Sequence, residues 1–166
     1  ALSNLTERYE GYGGSVKRVM EQKENSPGII GVVADLIKVD KKYEVAIETA
    51  LGGSIQNVVT DSEETAKILI GHLKKNRYGR ATFLPLTAVS GRGGFPEPQA
   101  LKEPGAIGVA ADLVKTRDEY KGLVQYLLGR VLVVDHMDHA IAIARKYRHS
   151  IRMVTPEGDL LSPGGS

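Results

Sequence analysis

Residues 28–52 read GIIGVVADLIKVDKKYEVAIETALG, and residues 105–129 read GAIGVAADLVKTRDEYKGLVQYLLG. Set against each other at an offset of 77, the two stretches agree at 11 of 25 positions, among them Gly28, Gly31, Asp35, Tyr43 and Gly52. Many of the remaining pairs exchange one apolar residue for another. The likeness resumes after a short gap, with Val58-Val59-Thr60 against Val133-Val134-Asp135 and residues 65–73 against 140–148. Two copies are too few for a solenoid, which needs about three to cover its faces. In a chain of 166 residues they read as two similar lobes of one compact α+β domain.

Each copy carries the same succession of signals. A β-rich run opens it, at 29–39 and 106–115. Helices over 41–51 and 117–128 follow, with apolar residues at helical spacing: Tyr43, Ala46, Ile47 and Ala50, then Tyr120, Leu123, Val124 and Leu127. Gly52 and Gly129 stand where such helices stop. Short β-branched strands come next, at 57–60 and 131–134, then helices over 63–75 and 138–147. Ser62 is placed to cap the first of these. Last strands close the copies at 81–86 and 151–155. The glycines and prolines of 87–104 predict a loop between the copies. Residues 2–25 read as polar helix, jointed at Gly11, Gly13 and Gly14.

Composition narrows the function. Hydrophobic residues make up 42% and charged residues 25%, which suits a packed core rather than a disordered tail. The 22 basic and 20 acidic side chains leave a net charge of +2, which permits nucleic-acid contact without arguing for it. With no cysteine there is no disulfide framework, thiolate nucleophile or Cys-ligated zinc. Neither a membrane-length apolar run nor a secretory leader is recognisable, so a cytoplasmic protein is expected.

Catalytic patterns are missing: no phosphate-binding G-x-x-x-x-G-K-[ST], no H-E-x-x-H, no G-x-S-x-G. Asp135-His136-Met137-Asp138-His139 brings two imidazoles three residues apart beside carboxylates, a metal-ligand spacing. It also opens a helix, where aspartate is favoured by capping and by the helix dipole. The capping reading is simpler, so no metal and no cofactor is expected. Asp35 and Asp112 recur at the same repeat position, and a shared turn explains them more simply than acid–base work. Basic residues cluster at the ends of the second helices, as Lys74, Lys75, Arg77 and Arg80 and again at 145–148. Lys41, Lys42 and Arg92 could extend a phosphate-binding surface, although dipole complementation accounts for the helix ends by itself. Pro163-Gly164-Gly165 follows a predicted strand, and glycine there allows a second backbone to approach.

Several longer runs are more specific. They are Gly11-Tyr12 with Val16-Lys17, Ala50-Leu51-Gly52-Gly53 with Gln56, GRATFLPL at 79–86, and RMVTPEGDL at 152–160 running into Pro163-Gly164-Gly165-Ser166. In these the chain resembles the hinge domain of bacterial structural-maintenance-of-chromosomes (SMC) proteins, over nearly its whole length. The resemblance implies an incoming coiled-coil stub and joint at 1–25, a first lobe at 26–86, a linker at 87–104 and a second lobe at 105–166. It implies pseudo-two-fold lobes and a non-enzymatic dimer with a second hinge, whose ATPase heads lie elsewhere. Carried onto this chain, the dimer edges would be Gly164 and Gly165 on one side. Gly52, Gly53, Ile55, Val58 and Val59 would lie on the other. It also implies weak DNA contact, favouring single strands, by Lys41, Lys42, Lys74, Lys75, Arg77, Arg80 and Arg92, in a nucleoid-associated protein. The family continues with a second glycine pair beyond residue 166, so this stretch alone is expected to dimerise poorly. The rival from the residues themselves is a tandem small-molecule-binding regulatory domain with a polar pocket near Asp35 and Asp112.

Overall fold

The computed structural model describes residues 2–5, 13–89 and 93–164. In chain order the elements are β1 (Leu2–Asn4), α1 (Gly14–Met20), β2 (Ile29–Val32), β3 (Lys38–Asp40), α2 (Glu44–Leu51), β4 (Val58–Thr60), α3 (Glu63–Asn76) and β5 (Phe83–Pro85). Then follow β6 (Ala106–Val109), β7 (Val114–Lys115), α4 (Lys121–Leu128), β8 (Val131–Val134), α5 (Met137–Lys146), β9 (Arg152–Val154) and β10 (Leu160–Leu161). The strands form three sheets, ordered β2-β4-β5, β10-β9-β8-β6 and β1-β3-β7.

The repeat is visible in the ladders. β2 runs antiparallel to β4, and β4 parallel to β5. β6 runs antiparallel to β8, and β8 parallel to β9. Both opening strands carry an irregularity at the same place, between Ile29 and Gly31 and between Ala106 and Gly108. The register corrects the sequence alignment by one residue. Ile29 pairs with Thr60 and Ala106 with Val134, so Thr60 matches Val134 and Asp61 matches Asp135.

The β-rich runs at 29–39 and 106–115 are not single strands. Each is cut by a 3-10 turn, Val33–Leu36 in one and Ala110–Leu113 in the other. In the first, the Asp35 carboxylate accepts a 3.4 Å hydrogen bond from the Val32 amide. The turn redirects the chain, so β3 pairs antiparallel with β7 and leaves the β2 sheet. The chain accordingly groups into two compact units that the contiguous lobes 26–86 and 105–166 do not match. One comprises Ala1–Ser3, Lys38–Gly52 and Gly91–Ser166, and the other Asn4–Ile37 and Gly53–Ser90. Helix α2, from the first copy, thus belongs to the unit built on the second.

In the unit holding β6, β8 and β9, Leu132, Val134, Ile143, Ile151 and Met153 form the core. Burying each such side chain contributes roughly 1.5–3 kcal/mol. The predicted linker contributes too. A 3-10 turn at Pro98–Lys102 sets Ala100, fully buried, into this core, and Phe95 packs against it. In the other unit Val58 and Val59 of β4 are fully buried, and α3, which packs near β4, buries Ala66, Leu69 and Leu73 at helical spacing. Gly52 ends α2 at a positive φ of 53°. Gly129 ends α4 for another reason: its φ is −71°, but a Cβ there would sit 2.5 Å from the Gln125 carbonyl oxygen.

The N-terminus departs from the expected helix. Leu2–Asn4 is a strand beside β3, and Leu5 is fully buried. Ser3 donates a hydrogen bond to the buried Glu44 carboxylate, which holds the strand against α2. The coiled-coil stub within 1–25 is therefore absent at Leu2–Asn4, and residues 6–12 lie outside the described residues. Among the described residues of that segment, Gly14–Met20 is the α-helical part.

Candidate interaction surfaces

The two repeat sheets end differently. In the second copy, β9 is covered on its outer side by β10, with Leu160 opposite Val154 and Leu161 opposite Met153. In the first copy β5 is the last strand, and among the described residues it pairs with β4 alone. Beside this open edge runs a shallow groove lined by Glu63, Ala66, Lys67, Ile70, Ala81 and Phe83. Ile70 is 40% exposed and Ile68, on the same helix, 67%. Ala81 is shared with a more polar cleft that reaches Gly53, Gln56, Arg80 and Thr82. Apolar groove, strand edge and Gly53 thus form one continuous surface.

The predicted dimer residues fall in different environments. Ile55, Val58 and Val59 are core residues, the latter two fully buried. β4 is hydrogen-bonded on both edges and has no free edge for another strand. Gly52 and Gly53 are exposed, with nothing within 4 Å of an added Cβ. Gly164 is also exposed, at φ 89°, and its amide donates to the His149 carbonyl at 2.8 Å. Gly165 lies outside the described residues.

Of the predicted basic residues, Lys74, Lys75, Arg77 and Arg80 gather at the C-terminal end of α3 and just beyond it, all exposed. Among the described residues no carboxylate lies within ion-pair distance of these four. Arg77 closes α3 in the left-handed conformation, at φ 54° and ψ 42°. The helix end is then held by the Tyr78 amide donating to the Leu73 carbonyl at 3.0 Å. Tyr78 draws in a residue that the sequence reading missed: the Arg18 guanidinium stacks 4.7 Å from its ring centroid. Arg18 stands too far off in sequence for a charge run to reveal it. Lys41 and Lys42 are exposed in the other unit, and Arg92 lies outside the described residues.

The two aspartates of the regulatory reading serve different ends. Asp35 supports its own turn, and its carbonyl accepts from Asn4 Nδ2 at 3.2 Å. Asp112 lines a cleft of about 520 Å³ with Lys115, Thr116, Lys121 and Gln125, and Asp35 is not among the lining residues.

Both copies begin their second helix on an aspartate. Asp61 Oδ1 accepts from Thr65 Oγ1 at 2.6 Å and from Ser62 Oγ at 3.1 Å. Asp135 Oδ1 accepts from the His136 amide at 2.7 Å and lies 2.8 Å from His139 Nδ1. The Thr65 hydroxyl holds the Asp61 carboxyl below its ordinary range, and the His139 ring does so for Asp135. Elsewhere Glu103 takes hydrogen bonds from Lys146 at 2.8 Å and Tyr147 at 3.0 Å. These bonds lower the Glu103 carboxyl and raise the Lys146 ammonium, while burial first and then Glu103 raise the Tyr147 phenol.

The chain is built of two α+β units interleaved in sequence, and comparison with known proteins supplies their family. Residues 26–144 match the SMC proteins Flexible Hinge Domain, and the chain belongs to that family. It is 42% identical to the chromosome partition protein Smc of Halothermothrix orenii over 99% of its own length, and 41% identical to that of Bacillus subtilis. It spans about 14% of the length of these relatives. Among solved structures it is similar to the hinge domain of Geobacillus stearothermophilus SMC, described as an asymmetric dimer. There the TM-score is 0.89 at 41% identity, covering 98% of this chain and 68% of that one. The Pyrococcus furiosus hinge gives a TM-score of 0.75 at 30% identity, covering 98% of this chain and 83% of that one.

Proposed function

We propose that the chain is the dimerisation hinge of a chromosome partition ATPase, joining two coiled-coil arms in the bacterial cytoplasm, at the nucleoid. The observation that carries this reading is the unpaired outer edge of β5, continuous with an apolar groove and with Gly53. A strand added there supplies main-chain hydrogen bonds and a fixed register. The matching element is the open side of β10 in a second copy, with Gly164 and Gly165 allowing close approach. Because a two-fold interface uses each patch twice, two such junctions close the dimer. A hinge dimer, described as asymmetric, is also named for the Geobacillus relative, which supports pairing of two hinges.

The test is sedimentation equilibrium of the hinge with its native flanking helices. A Cβ at Gly53 meets no atom within 4 Å and needs no unusual φ, so Gly53→Phe should leave the protomer folded, which its far-UV circular dichroism checks. Dimer affinity should fall at least about tenfold, or 1.4 kcal/mol. A dimer as tight as the parent's would overturn the β5-edge reading.

For DNA, Lys74, Lys75, Arg77 and Arg80 form the sequence-tolerant contact, with Lys41 and Lys42 contributing from the other unit. Neutralising about four phosphates gives a log–log salt slope of roughly −3 on single strands. Fluorescence anisotropy at several salt concentrations reads this slope, and an affinity that ignores salt would refute it.

A further inference from the structure

We infer that Asp135, His136 and His139 form a binding site for a divalent transition-metal ion of the zinc class. Among the described residues, one ligand atom from each of these three side chains lies within 4.8 Å of the others. His136 Nε2 is 3.8 Å from Asp135 Oδ1, and His139 Nδ1 is 2.8 Å from it. Tetrahedral bonds of about 2.0–2.1 Å set neighbouring ligand atoms roughly 3.3 Å apart. These two separations lie on either side of that value, and all three ligand atoms lie within 4.8 Å of one another, so side-chain rotations that turn the two imidazoles toward a common point would complete the site. The rings already stand together, stacked with centroids 4.2 Å apart.

Capping does not account for the histidines. The first copy builds the same helix start with Ser62 and Thr65, whose hydroxyls bond to Asp61. The matching residues in the second copy are His136 and His139. As N-cap of α5, His136 makes no side-chain capping bond. The aspartate is thus the shared structural device, and the imidazoles are what the second copy adds. Two imidazoles and one carboxylate favour zinc, cobalt, nickel or copper over magnesium or calcium, which prefer all-oxygen sites. Three protein ligands leave a fourth position for water. The backbone beneath is stiff: β8 is buried along its length, and the Asp135 amide donates to the Gly105 carbonyl at 2.9 Å.

The first copy also supplies the test. His136→Ser with His139→Thr recreates the Ser62 and Thr65 arrangement, so the cap and the fold are kept. Cobalt(II) titrated into the untagged chain should give saturable visible absorption at one equivalent, displaced by zinc, and zinc should raise the thermal midpoint. The double variant should lose at least about tenfold in cobalt affinity. Asp135→Asn should also weaken binding, while His72→Asn with His149→Asn should leave it unchanged. Absence of saturable binding below about 0.1 mM cobalt overturns the site, as does undiminished binding in the double variant.

Discussion

Gly28 and Gly105 hold the same place in the two copies, yet replacing them with alanine should cost different amounts. A Cβ at Gly105 would overlap His139 Nδ1, 2.5 Å from the His139 Cβ and 2.6 Å from Asp135 Oδ1. Gly105 also sits at φ 89°, where an L-residue is strained by about 1–3 kcal/mol. Displacing Asp135 loosens the two hydrogen bonds it accepts, each worth about 1 kcal/mol. Gly105→Ala should therefore destabilise by about 3–5 kcal/mol. At Gly28 the added Cβ would meet Thr65 Oγ1 and lie 2.6 Å from Asp61 Oδ1, but no positive φ is involved. Gly28→Ala should cost about 1–2 kcal/mol, from lost hydrogen bonds alone. Equilibrium urea unfolding of both variants measures the difference. A second round separates the causes. Thr65→Ala removes the obstructing hydroxyl and methyl, so combined with Gly28→Ala it should cost less than the sum of the single changes. His139→Ala keeps its Cβ in the way and leaves the backbone strained, so it should not rescue Gly105→Ala. Equal costs for the two glycines, or full rescue at Gly105, would refute the claim that the copies differ in backbone strain.

Other outcomes follow from the same contacts. Leu132→Ala, at a fully buried position in the Ile143–Met153 cluster, should cost about 2–5 kcal/mol in urea unfolding. Ser62→Ala should cost about 1 kcal/mol, because the Ser62 hydroxyl accepts from the Thr65 amide at 3.3 Å at the start of α3. The lowered carboxyls of Asp61, Glu103 and Asp135 also set an acid limit. Depressed folded values stabilise above the ordinary values, 3.8 for Asp and 4.5 for Glu, and that stability drains as pH falls through the folded values. Urea midpoints against pH should drop in this window, and Glu103→Gln should flatten part of the drop.

Periodicity and punctuation made most elements legible. The alternation of β-branched runs with helical spacing placed α3, α5, β4 and β8 within a residue, while α2 and α4 begin three and four residues later than expected, after 3-10 turns, and Ser62 was readable as a cap. What stayed hidden depends on contacts across the chain. Val33–Leu36 looks like continuous strand, because a 3-10 turn of Val, Ala and Leu carries no proline or glycine to mark it. The strand at Leu2–Asn4 has too few residues for a pattern and exists because β3 lies beside it. A central strand and an edge strand share a composition, so only the order β2-β4-β5 shows that Val58 and Val59 sit in a central, buried strand. Arg18 joins the basic surface through the Tyr78 ring, a contact without a sequence signature.

The two copies have kept their ladders and changed their margins. Strand directions, the irregularity in the opening strand and the helix-start aspartate are common to both. The strands are bound into a core, where a changed residue costs several kcal/mol, and the exposed aspartates are kept by the hydrogen bonds they accept. The differences all lie where the core no longer constrains them. One copy has added β10 beside β9, while the other leaves β5 uncovered. One has put imidazoles where the other keeps hydroxyls. An exposed strand edge is a liability in a solitary domain, since it invites indiscriminate pairing. In the self-complementary hinge proposed above, it is the part that must stay open to receive a strand from the partner. Divergence confined to the margins is what a duplicated module needs in order to bind its own twin.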